Sequence, residues 1–340
     1  MRAVIMTGEP GKATLVTDRP FPRPRPGYVL ADVKAVALNP TDWKHTDFFN
    51  NKDTLLGCDF AGVVAQTGTG YSKQWKVGDR ICGFVSGGNA LEPEDGAFAE
   101  RVAVKADVAL RIPDNMSFEE ASSLGVAIVT AGQGLFQQMG LNRPSQPTTE
   151  KEFVLIYGGS TLIGTMAIQL AKLAGYTPIA TCSPHNFELV KSMGAVAAFD
   201  YKDPNCVAQI KDFTNNNLKY VWDTISLPPT AQLCAQVIAP NGRYGIILPV
   251  DFPRTDVKQT HSVAYSAFGE PVKKPNFEAQ DTTADFEFMK GWIAEAEGLL
   301  HQGQLKHHPL KIGRGLENVL EGMDQLRQDK ISGQKLVYVL

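Results

Sequence analysis

Residues 1–116 hold short apolar runs, each closed by a Gly, Pro or Asp turn, and this pattern changes at Ser117. The runs that predict strands are 28–36, 57–66, 81–85, 102–104 and 110–112. Short strands broken by turns at spacings of about ten residues are typical of a small barrel-like β unit. We therefore expect a β-rich first domain.

From Ser117 onward the pattern is first helical and then alternates between strand and helix. Ser117 followed by Glu120 is a capping-box pattern, and it predicts a helix that continues to Met139. Beyond a polar loop, the predicted strands are 153–157, 178–182, 197–200, 220–222 and 245–248, and the predicted helices are 164–174, 186–193, 205–215 and 230–238. Such alternation with short connections predicts a parallel, doubly wound sheet, and hence an α/β protein.

The last part of the chain is polar and irregular over residues 251–285. Residues 286–302 and 316–329 read as amphipathic helices, and residues 335–340 as a terminal strand.

Composition excludes several classes of protein. The chain has 340 residues, of which 43% are hydrophobic, enough for two domains of ordinary size. A formal net charge of −3 without a Lys/Arg block argues against a nucleic-acid partner. The apolar runs fall short of the roughly 18 residues that span a bilayer, so no membrane association is expected. Five widely spaced cysteines suit a reducing compartment, and we expect a cytoplasmic protein.

The most informative segment is a Gly-rich turn between a predicted strand and a predicted helix. Small residues there let the backbone approach a pyrophosphate, while the N–H groups of the helix start point at it. In the G-x-G-x-x-G register the middle Gly is replaced by Thr161. The turn predicts a dinucleotide site whose contacts are Gly158, Gly159, Ser160, Thr161 and Gly164.

The region after the second strand of this unit indicates which dinucleotide binds. NAD sites place an acid about 20 residues past the turn, to hold the ribose 2′-hydroxyl. Residues 181–186 contain no carboxylate, and an acid there would repel a 2′-phosphate. We therefore favour NADPH, with Ser183 and His185 donating to the phosphate. The alternative for His185 is a solvent-facing loop residue.

Several segments in the same order resemble the zinc-independent quinone oxidoreductase/enoyl reductase branch of the medium-chain dehydrogenases/reductases, and the resemblance covers essentially the whole chain. They are Asn39-Pro40-Thr41-Asp42, residues 57–64, 77–83 and 96–100, Thr130-Ala131 and the Gly-rich turn. Within this branch, residues 182–186, 307–310 and 332–336 resemble the fungal trans-acting enoyl reductases of polyketide synthases, the stand-alone enoyl reductases of the lovastatin type.

The resemblance implies a GroES-like β-rich catalytic domain made of residues 1–116 and 286–340. A Rossmann domain that binds NADPH, residues 117–285, is inserted between them, and the cofactor lies in the cleft. Tyr201 is expected near the adenosine 2′-phosphate, with Asn186 in place of a lysine common in the family. Leu248 is expected against the nicotinamide.

The resemblance also argues against a metal. Zinc-dependent relatives carry Gly-His-Glu where this chain has Gly57-Cys58-Asp59, and a Cys where Asn39 stands. Without thiolate and imidazole ligands at these positions no tetrahedral site can form. We expect Asp42 and Asp59 to be structural, capping turns or pairing with Arg80 or a lysine.

Without a metal, conjugate reduction is better supported than ketone reduction. Hydride reaches the β-carbon of an enoyl thioester, charge moves to the thioester oxygen, and a proton arrives at the α-carbon. Lys44 is the first catalytic candidate, either protonating the enolate or holding the cofactor ribose; the alternative is a surface lysine. Thr130 would face the nicotinamide amide or the substrate carbonyl; the alternative is a helix-interior Thr that bonds its own backbone.

The remaining substrate contacts also come from the resemblance. They are Asn39, Phe49, Phe268 and Gly269, together with Thr130. For Phe268, Gly269 and Leu248, packing in the core explains the apolar character equally well. Many relatives have a Tyr proton donor a few residues past the position of Lys44. Here the aromatics are Phe48 and Phe49, which cannot donate, so the sequence leaves the proton donor unassigned.

Three hypotheses of function stay open at this point. The first is a trans-acting enoyl reductase that takes its enoyl thioester from the acyl carrier protein of a polyketide synthase or a synthase–peptide synthetase hybrid (PKS-NRPS). The second is a free-standing NADPH reductase of quinones or small enones, and the third a non-catalytic NADPH-binding protein. Pro249 and Pro253 remove backbone N–H donors from the segment through which many relatives dimerise by strand pairing. We therefore expect a monomer.

Overall fold

The computed structural model describes residues 1–49, 51–274 and 277–340. The chain divides into two compact units, the first formed by Met1–Val126 with Tyr265–Leu340 and the second by Ala127–Ala264. Residues 117–126 and 265–285, which the sequence analysis placed in the cofactor domain, lie in the first unit. The difference at 117–126 has a packing reason, because the helix that begins at Phe118 lies on the strands of the first unit.

The N-terminal part of the first unit is built on one long central strand. Its elements are β1 (Ala3–Met6), β2 (Ala13–Val16), β3 (Tyr28–Ala37), α1 (Pro40–Phe48), β4 (Asp59–Gln66), β5 (Arg80–Phe84), β6 (Arg101–Lys105), β7 (Leu110–Arg111) and α2 (Phe118–Ser122). Strand β3 pairs antiparallel with both β4 and β6, and β4 pairs with β5. The strands predicted from residue 28 to residue 112 are confirmed with small shifts at their ends.

Helix α1 was not predicted, although the sequence carries its signals. Pro40 occupies the first turn, where a missing N–H costs nothing. The Asp42 carboxylate accepts from the Asn39 backbone N–H at 2.6 Å. Both features mark a helix N-terminus, so α1 begins directly where β3 has ended.

The second unit contains the predicted parallel sheet. Its elements are α3 (Gly125–Gly132, continued by a π-helical turn over Gln133–Gln138), β8 (Phe153–Tyr157), α4 (Leu162–Leu173), β9 (Thr177–Thr181), α5 (Phe187–Ser192), β10 (Ala197–Phe199), α6 (Cys206–Phe213), β11 (Tyr220–Asp223), α7 (Pro228–Val237), β12 (Arg243–Ile246) and β13 (Lys258–His261). The strand order is β10-β9-β8-β11-β12-β13, with every pairing parallel. This is the doubly wound order of a dinucleotide-binding sheet, so the predicted fold class is confirmed.

The edge of this sheet differs from the expectation. The chain after β12 was expected to form the edge, but β13 pairs outside β12. The edge strand is therefore polar, with Lys258 and Gln259 exposed. Strand β12 ends at Ile246, so Leu248 lies two residues beyond it and not within a strand.

The C-terminal part returns to the first unit. Its elements are β14 (Val272–Lys274), β15 (Phe277–Ala279), α8 (Thr283–His301), β16 (Leu310–Arg314), α9 (Val319–Arg327) and β17 (Lys335–Val339). Strand β17 pairs antiparallel with β3 and parallel with β16, which joins the end of the chain to its beginning. The expectation of an irregular segment over 251–285 is wrong, because β13, β14 and β15 lie there; they are short and lack an apolar alternation.

Candidate active site and cofactor cradle

The turn between β8 and α4 has a backbone geometry that only glycine permits. Gly158 adopts a φ of +74°, which L side chains rarely reach. A Cβ on Gly159 would lie 2.6 Å from the Ala180 Cβ, and a Cβ on Gly164 would lie 2.3 Å from the Gly158 carbonyl oxygen. The turn is therefore held tightly against β9 and the start of α4.

Thr161, which replaces the middle Gly, is the N-cap of α4. Its Oγ1 accepts from the Gly164 N–H at 2.9 Å and lies 3.1 Å from the Thr224 Oγ1. The other N–H groups of the first turn have no partner within the helix and carry the positive end of its dipole. Narrow backbone clearance and outward N–H groups fit the pyrophosphate of a dinucleotide.

Residues 182–186, directly after β9, carry no carboxylate. Ser183 is half-buried, His185 is exposed and Asn186 is buried. Tyr201, after β10, is 38% exposed, and the Lys202 ammonium lies 5.6 Å from its ring centroid. The sequence analysis did not single out Lys202, although it stands directly after Tyr201.

The second unit also holds three further predicted site residues. Thr130 lies in α3 and is buried, with 5% of its surface exposed. Leu248 is half-buried in the bend that follows β12. Ser160 completes the glycine turn and is half-buried.

In the first unit, α1 and the start of β4 bring a polar network into the core. The Lys335 ammonium donates to the Asn39 Oδ1 at 2.5 Å and to the Asp59 Oδ2 at 3.0 Å. Asn39 Nδ2 donates to the same Asp59 oxygen at 2.8 Å, and the Val126 N–H donates to the other at 2.7 Å. Asp42 caps the start of α1 and Asp59 pairs with Lys335, the two kinds of contact that were expected of these residues.

A second cluster in the first unit surrounds the Tyr265 hydroxyl, and the sequence analysis did not find it. Tyr265 Oη is hydrogen-bonded to Thr41 Oγ1 at 2.7 Å and lies 3.3 Å from His45 Nε2. The Cys58 sulfur lies 3.8 Å from the same oxygen. The Lys274 ammonium stands 3.9 Å from the Tyr265 ring centroid and 3.2 Å from His45 Nε2.

Aromatic rings enclose this cluster. Phe84 contacts Tyr265 at 5.3 Å and Phe268 at 4.9 Å between ring centroids. Phe49 meets His45 edge-on at 5.1 Å. Two residues predicted to border the substrate, Phe49 and Phe268, are therefore brought to the same group, whereas the Phe84 contact was not foreseen.

Burial shifts the proton affinities of these groups. Burial and the nearby Lys274 charge hold the pKa of His45 well below its ordinary value, so this imidazole is neutral at neutral pH. Burial lowers the pKa of Lys274 to about 8. Burial raises the pKa values of Tyr265 and Cys58 well above their usual range. The cluster thus offers a protonated phenol beside an ammonium, in apolar surroundings.

The comparisons with known proteins agree with this architecture. Residues 25–114 match the model of the alcohol dehydrogenase GroES-like domain, and residues 163–248 match that of the zinc-binding dehydrogenases. The trans-enoyl reductase resD of Aspergillus sclerotiorum is 43% identical, over 99% of each chain. The chain belongs to the medium-chain dehydrogenase/reductase family, with the fungal trans-enoyl reductases.

Two further comparisons support the same placement. The trans-enoyl reductase TOXD of Cochliobolus carbonum is 47% identical, over 78% of this chain and 90% of its own. The crystal structure of the CurK enoyl reductase superposes with a TM-score of 0.78 at 21% identity, over 99% of both chains, which shows a shared fold. Membership of the medium-chain family implies a nicotinamide cofactor, and the glycine turn fits one.

Zinc, which one of the matching family models names, does not fit the residues of this family member. At the positions that the resemblance gives to zinc ligands stand an amide, a thiol and a carboxylate: Asn39, Cys58 and Asp59. The carboxylate and the amide already bind the Lys335 ammonium, so their oxygens are engaged within the protein. Across residues 1–49, 51–274 and 277–340, no group of three metal-ligating side chains converges.

The remaining predicted site residues of this reductase lie on the first unit. Lys44 is half-buried on α1, its ammonium 5.7 Å from the Trp43 ring, and burial lowers its pKa. Gly269 has a φ of +70°, and a Cβ there would lie 3.0 Å from Phe286. The Asn39 side chain is buried, and both of its polar atoms are bonded within the protein.

Proposed function

We propose that this protein is an NADPH-dependent enoyl reductase that reduces the α,β-double bond of a carrier-bound polyketide enoyl thioester, in trans to a polyketide synthase or a synthase–peptide synthetase hybrid. The observation that carries the proposal is the similarity to proteins named trans-enoyl reductases, 38–47% identical over 78–100% of this chain. Hydride from the nicotinamide reaches the β-carbon, and a proton then reaches the α-carbon.

The choice of NADPH rests on the region after β9. A 2′-phosphate requires donors and no nearby carboxylate, and Ser183, His185 and Asn186 meet this condition. Tyr201 and Lys202 add an aromatic face and a positive charge after the next strand. Asp200, directly before Tyr201, accepts from the Lys202 backbone N–H at 2.9 Å and so caps its own turn.

The roles of individual residues are part of the proposal. Lys44 and Thr130 act in catalysis, Lys44 protonating the enolate or holding the ribose and Thr130 orienting the carbonyl or the nicotinamide amide. Phe49, Phe268 and Gly269 border the substrate. The bonded state of Asn39 favours a structural role over direct substrate contact. Turnover that is unchanged in a Lys44→Ala variant would exclude Lys44 from the chemistry.

The partner and the state of the protein follow from the same proposal. The donor of the enoyl chain is an acyl carrier protein, since a reductase acting in trans takes its substrate from a synthase.

The five cysteines are free and buried, which favours a reducing compartment such as the cytoplasm. No helix in the described parts of the chain is long and apolar enough to cross a bilayer. The polar edge strand β13 favours a monomer, and a dimer mass in light scattering would contradict it.

The experiment that tests the function follows the loss of NADPH absorbance with a crotonyl-pantetheine thioester, alongside a benzoquinone control. We expect oxidation that depends on the thioester and little with the quinone. Activity with the quinone alone would replace the proposal by a free-standing quinone reductase. Stoichiometric NADPH binding without turnover of either acceptor would identify a binding protein.

A further inference from the structure

Proton delivery to the α-carbon needs a donor, and the aromatic residues that follow Lys44 cannot supply it. Phe48 and Phe49 stand there, and neither ring carries an acidic proton. Tyr265 lies much later in the chain, and its phenol contacts the helix that carries Lys44, α1. Its hydroxyl meets Thr41 on α1 across a sequence separation of 224 residues.

The Tyr265 hydroxyl is held in one place by three side chains from two elements. Thr41 and His45 lie one turn apart on α1 and both face the oxygen, at 2.7 and 3.3 Å. Cys58, just before β4, contacts it from a third side at 3.8 Å. The His45 ring is itself fixed, because a Cβ on Gly88 would lie 2.7 Å from its Nδ1. A hydroxyl bound in this way is oriented, as a proton donor must be.

Tyr265 also lies where a ligand can reach it. A groove of about 440 Å³ on the first unit is lined by Asn89, Glu270, Pro271 and Lys273, with Leu91 at one side. A smaller recess shares those first four residues and continues to Ser86, Tyr265, Phe268 and Lys274. Tyr265 is half-buried at the inner end of this path. The recess encloses only about 10 Å³, so the larger groove is the part with room for an acyl chain, and Tyr265 lies in the wall beyond its inner end.

We propose that the Tyr265 hydroxyl donates the proton that the α-carbon receives, with Lys274 and His45 as positioning and reloading residues. This inference rests on the proposed enoyl reduction. Hydride adds to the β-carbon, and the electron pair of the double bond moves to the α-carbon and the thioester oxygen. The α-carbon then takes the Tyr265 proton, which leaves a phenolate. The neighbouring Lys274 ammonium then returns a proton to the phenolate, and Lys274 is reprotonated by solvent.

The charges around the phenol suit these steps. The raised pKa keeps Tyr265 protonated until a strongly basic enolate forms beside it. The Lys274 ammonium, 3.9 Å from the ring centroid, stabilises the phenolate that results. The groups that act on the Lys274 charge are Cys58 and Asp95, while His45 faces it at 3.2 Å. Lys44 is the competing donor, on the same helix but outside this cluster.

The test uses α-methylcrotonyl-pantetheine thioester, whose reduction creates a stereocentre at the α-carbon. The wild type is expected to form one α-epimer. In Tyr265→Phe we expect kcat to fall about 100-fold, with KM little changed, since a positioned acid contributes about 10²–10⁴-fold. We also expect both α-epimers, because water protonates the enolate from either face. A merely structural role for Tyr265 would not scramble the α-carbon.

Two controls separate the possible failures. Lys44→Met should keep a single α-epimer, and a mixture in Lys44→Met with one epimer in Tyr265→Phe would overturn the inference in favour of Lys44. Should Tyr265→Phe fold poorly by circular dichroism, Thr41→Val, which removes only the hydroxyl that orients the phenol, must show the same loss of stereochemical control. A wild type that does not reduce the thioester would refute the proposed function itself.

Discussion

Lys335 is a buried charge that two side chains hold, at positions where the resemblance places zinc ligands. Its ammonium is buried, with 4% of the residue exposed, between the Asn39 amide and the Asp59 carboxylate. A buried charge is tolerated when it is paired and fully hydrogen-bonded, and removing one partner leaves the other uncompensated. Removing only one partner of this pair is therefore expected to destabilise the protein more than removing both charges.

We predict that Lys335→Met lowers the free energy of unfolding by about 3–5 kcal/mol, because Asp59 keeps a buried, unpaired charge. Adding Asp59→Asn should restore a large part of this loss, since the amide carries no charge. Urea unfolding of both variants measures the difference. A double variant no more stable than Lys335→Met would mean that the charge is not what destabilises it.

Asp42 makes stability depend on pH. Burial raises its pKa from 3.8 to about 7 in the folded protein. The folded state then binds more protons than the unfolded state between about pH 4 and pH 7, so this carboxyl makes the free energy of unfolding fall as pH rises through that window. We predict a flatter pH profile for Asp42→Asn, which keeps an oxygen that can accept from the Asn39 N–H. The free energy of unfolding is measured with denaturant at each pH. If it falls with pH as steeply in Asp42→Asn as in the wild type, the effect belongs to Asp95, whose pKa burial raises to about 6.

Ser183 tests the cofactor preference. Like charges brought together cost several kcal/mol, so Ser183→Asp should raise the KM for NADPH about tenfold or more and favour NADH. Ser192→Asp, an exposed serine near the end of α5, adds the same charge away from the proposed phosphate. Steady-state kinetics with both cofactors give the comparison. Equal NADPH affinity in the two variants would remove Ser183 from the phosphate site.

Individual residues also show how much of the candidate site could be predicted from the sequence. Ser183 and the glycines lie in one short segment, so local spacing was enough to propose them. Tyr265 could not be found in that way, because its partners Thr41 and His45 are more than two hundred residues away and only the fold brings them together.

At the scale of elements, α4 is the helix whose start matters most. Thr161 caps it through the bond from the Gly164 N–H. Replacing a capping Thr by Ala costs about 1 kcal/mol, whereas Ser keeps the hydroxyl. We predict that Thr161→Ala lowers the free energy of unfolding by that amount and that Thr161→Ser does not, as measured by denaturant unfolding without cofactor. Equal stability of the two variants would show that the cap contributes nothing.

Elements differed in how visible they were in the sequence. Strand β8 is a continuous apolar run, and the short strands β9 and β11 alternate with helices; this alternation predicted the parallel sheet. Strands β14 and β15 have three residues each and largely polar faces, so no periodicity could reveal them. Helix α1 was visible only through its cap at Asn39 and Pro40.

At the scale of the whole molecule, the chain closes its first unit with its last strand. Strand β17 pairs with β3, and Lys335 at its start reaches Asp59 at the start of β4. Residues 127–264 form the second unit between these two segments. Resemblance to the family predicted this split arrangement, whereas the periodicity of the sequence could not, since it carries no information on which distant segments pair.

The most direct test of enoyl reduction uses NADPH that carries deuterium at the transferable position of the nicotinamide, with a crotonyl-pantetheine thioester. We predict a saturated butyryl thioester with one deuterium on the β-carbon and none on the α-carbon, read by mass spectrometry and NMR. Deuterium on the carbonyl carbon, or consumption of NADPH without a labelled saturated product, would contradict the account.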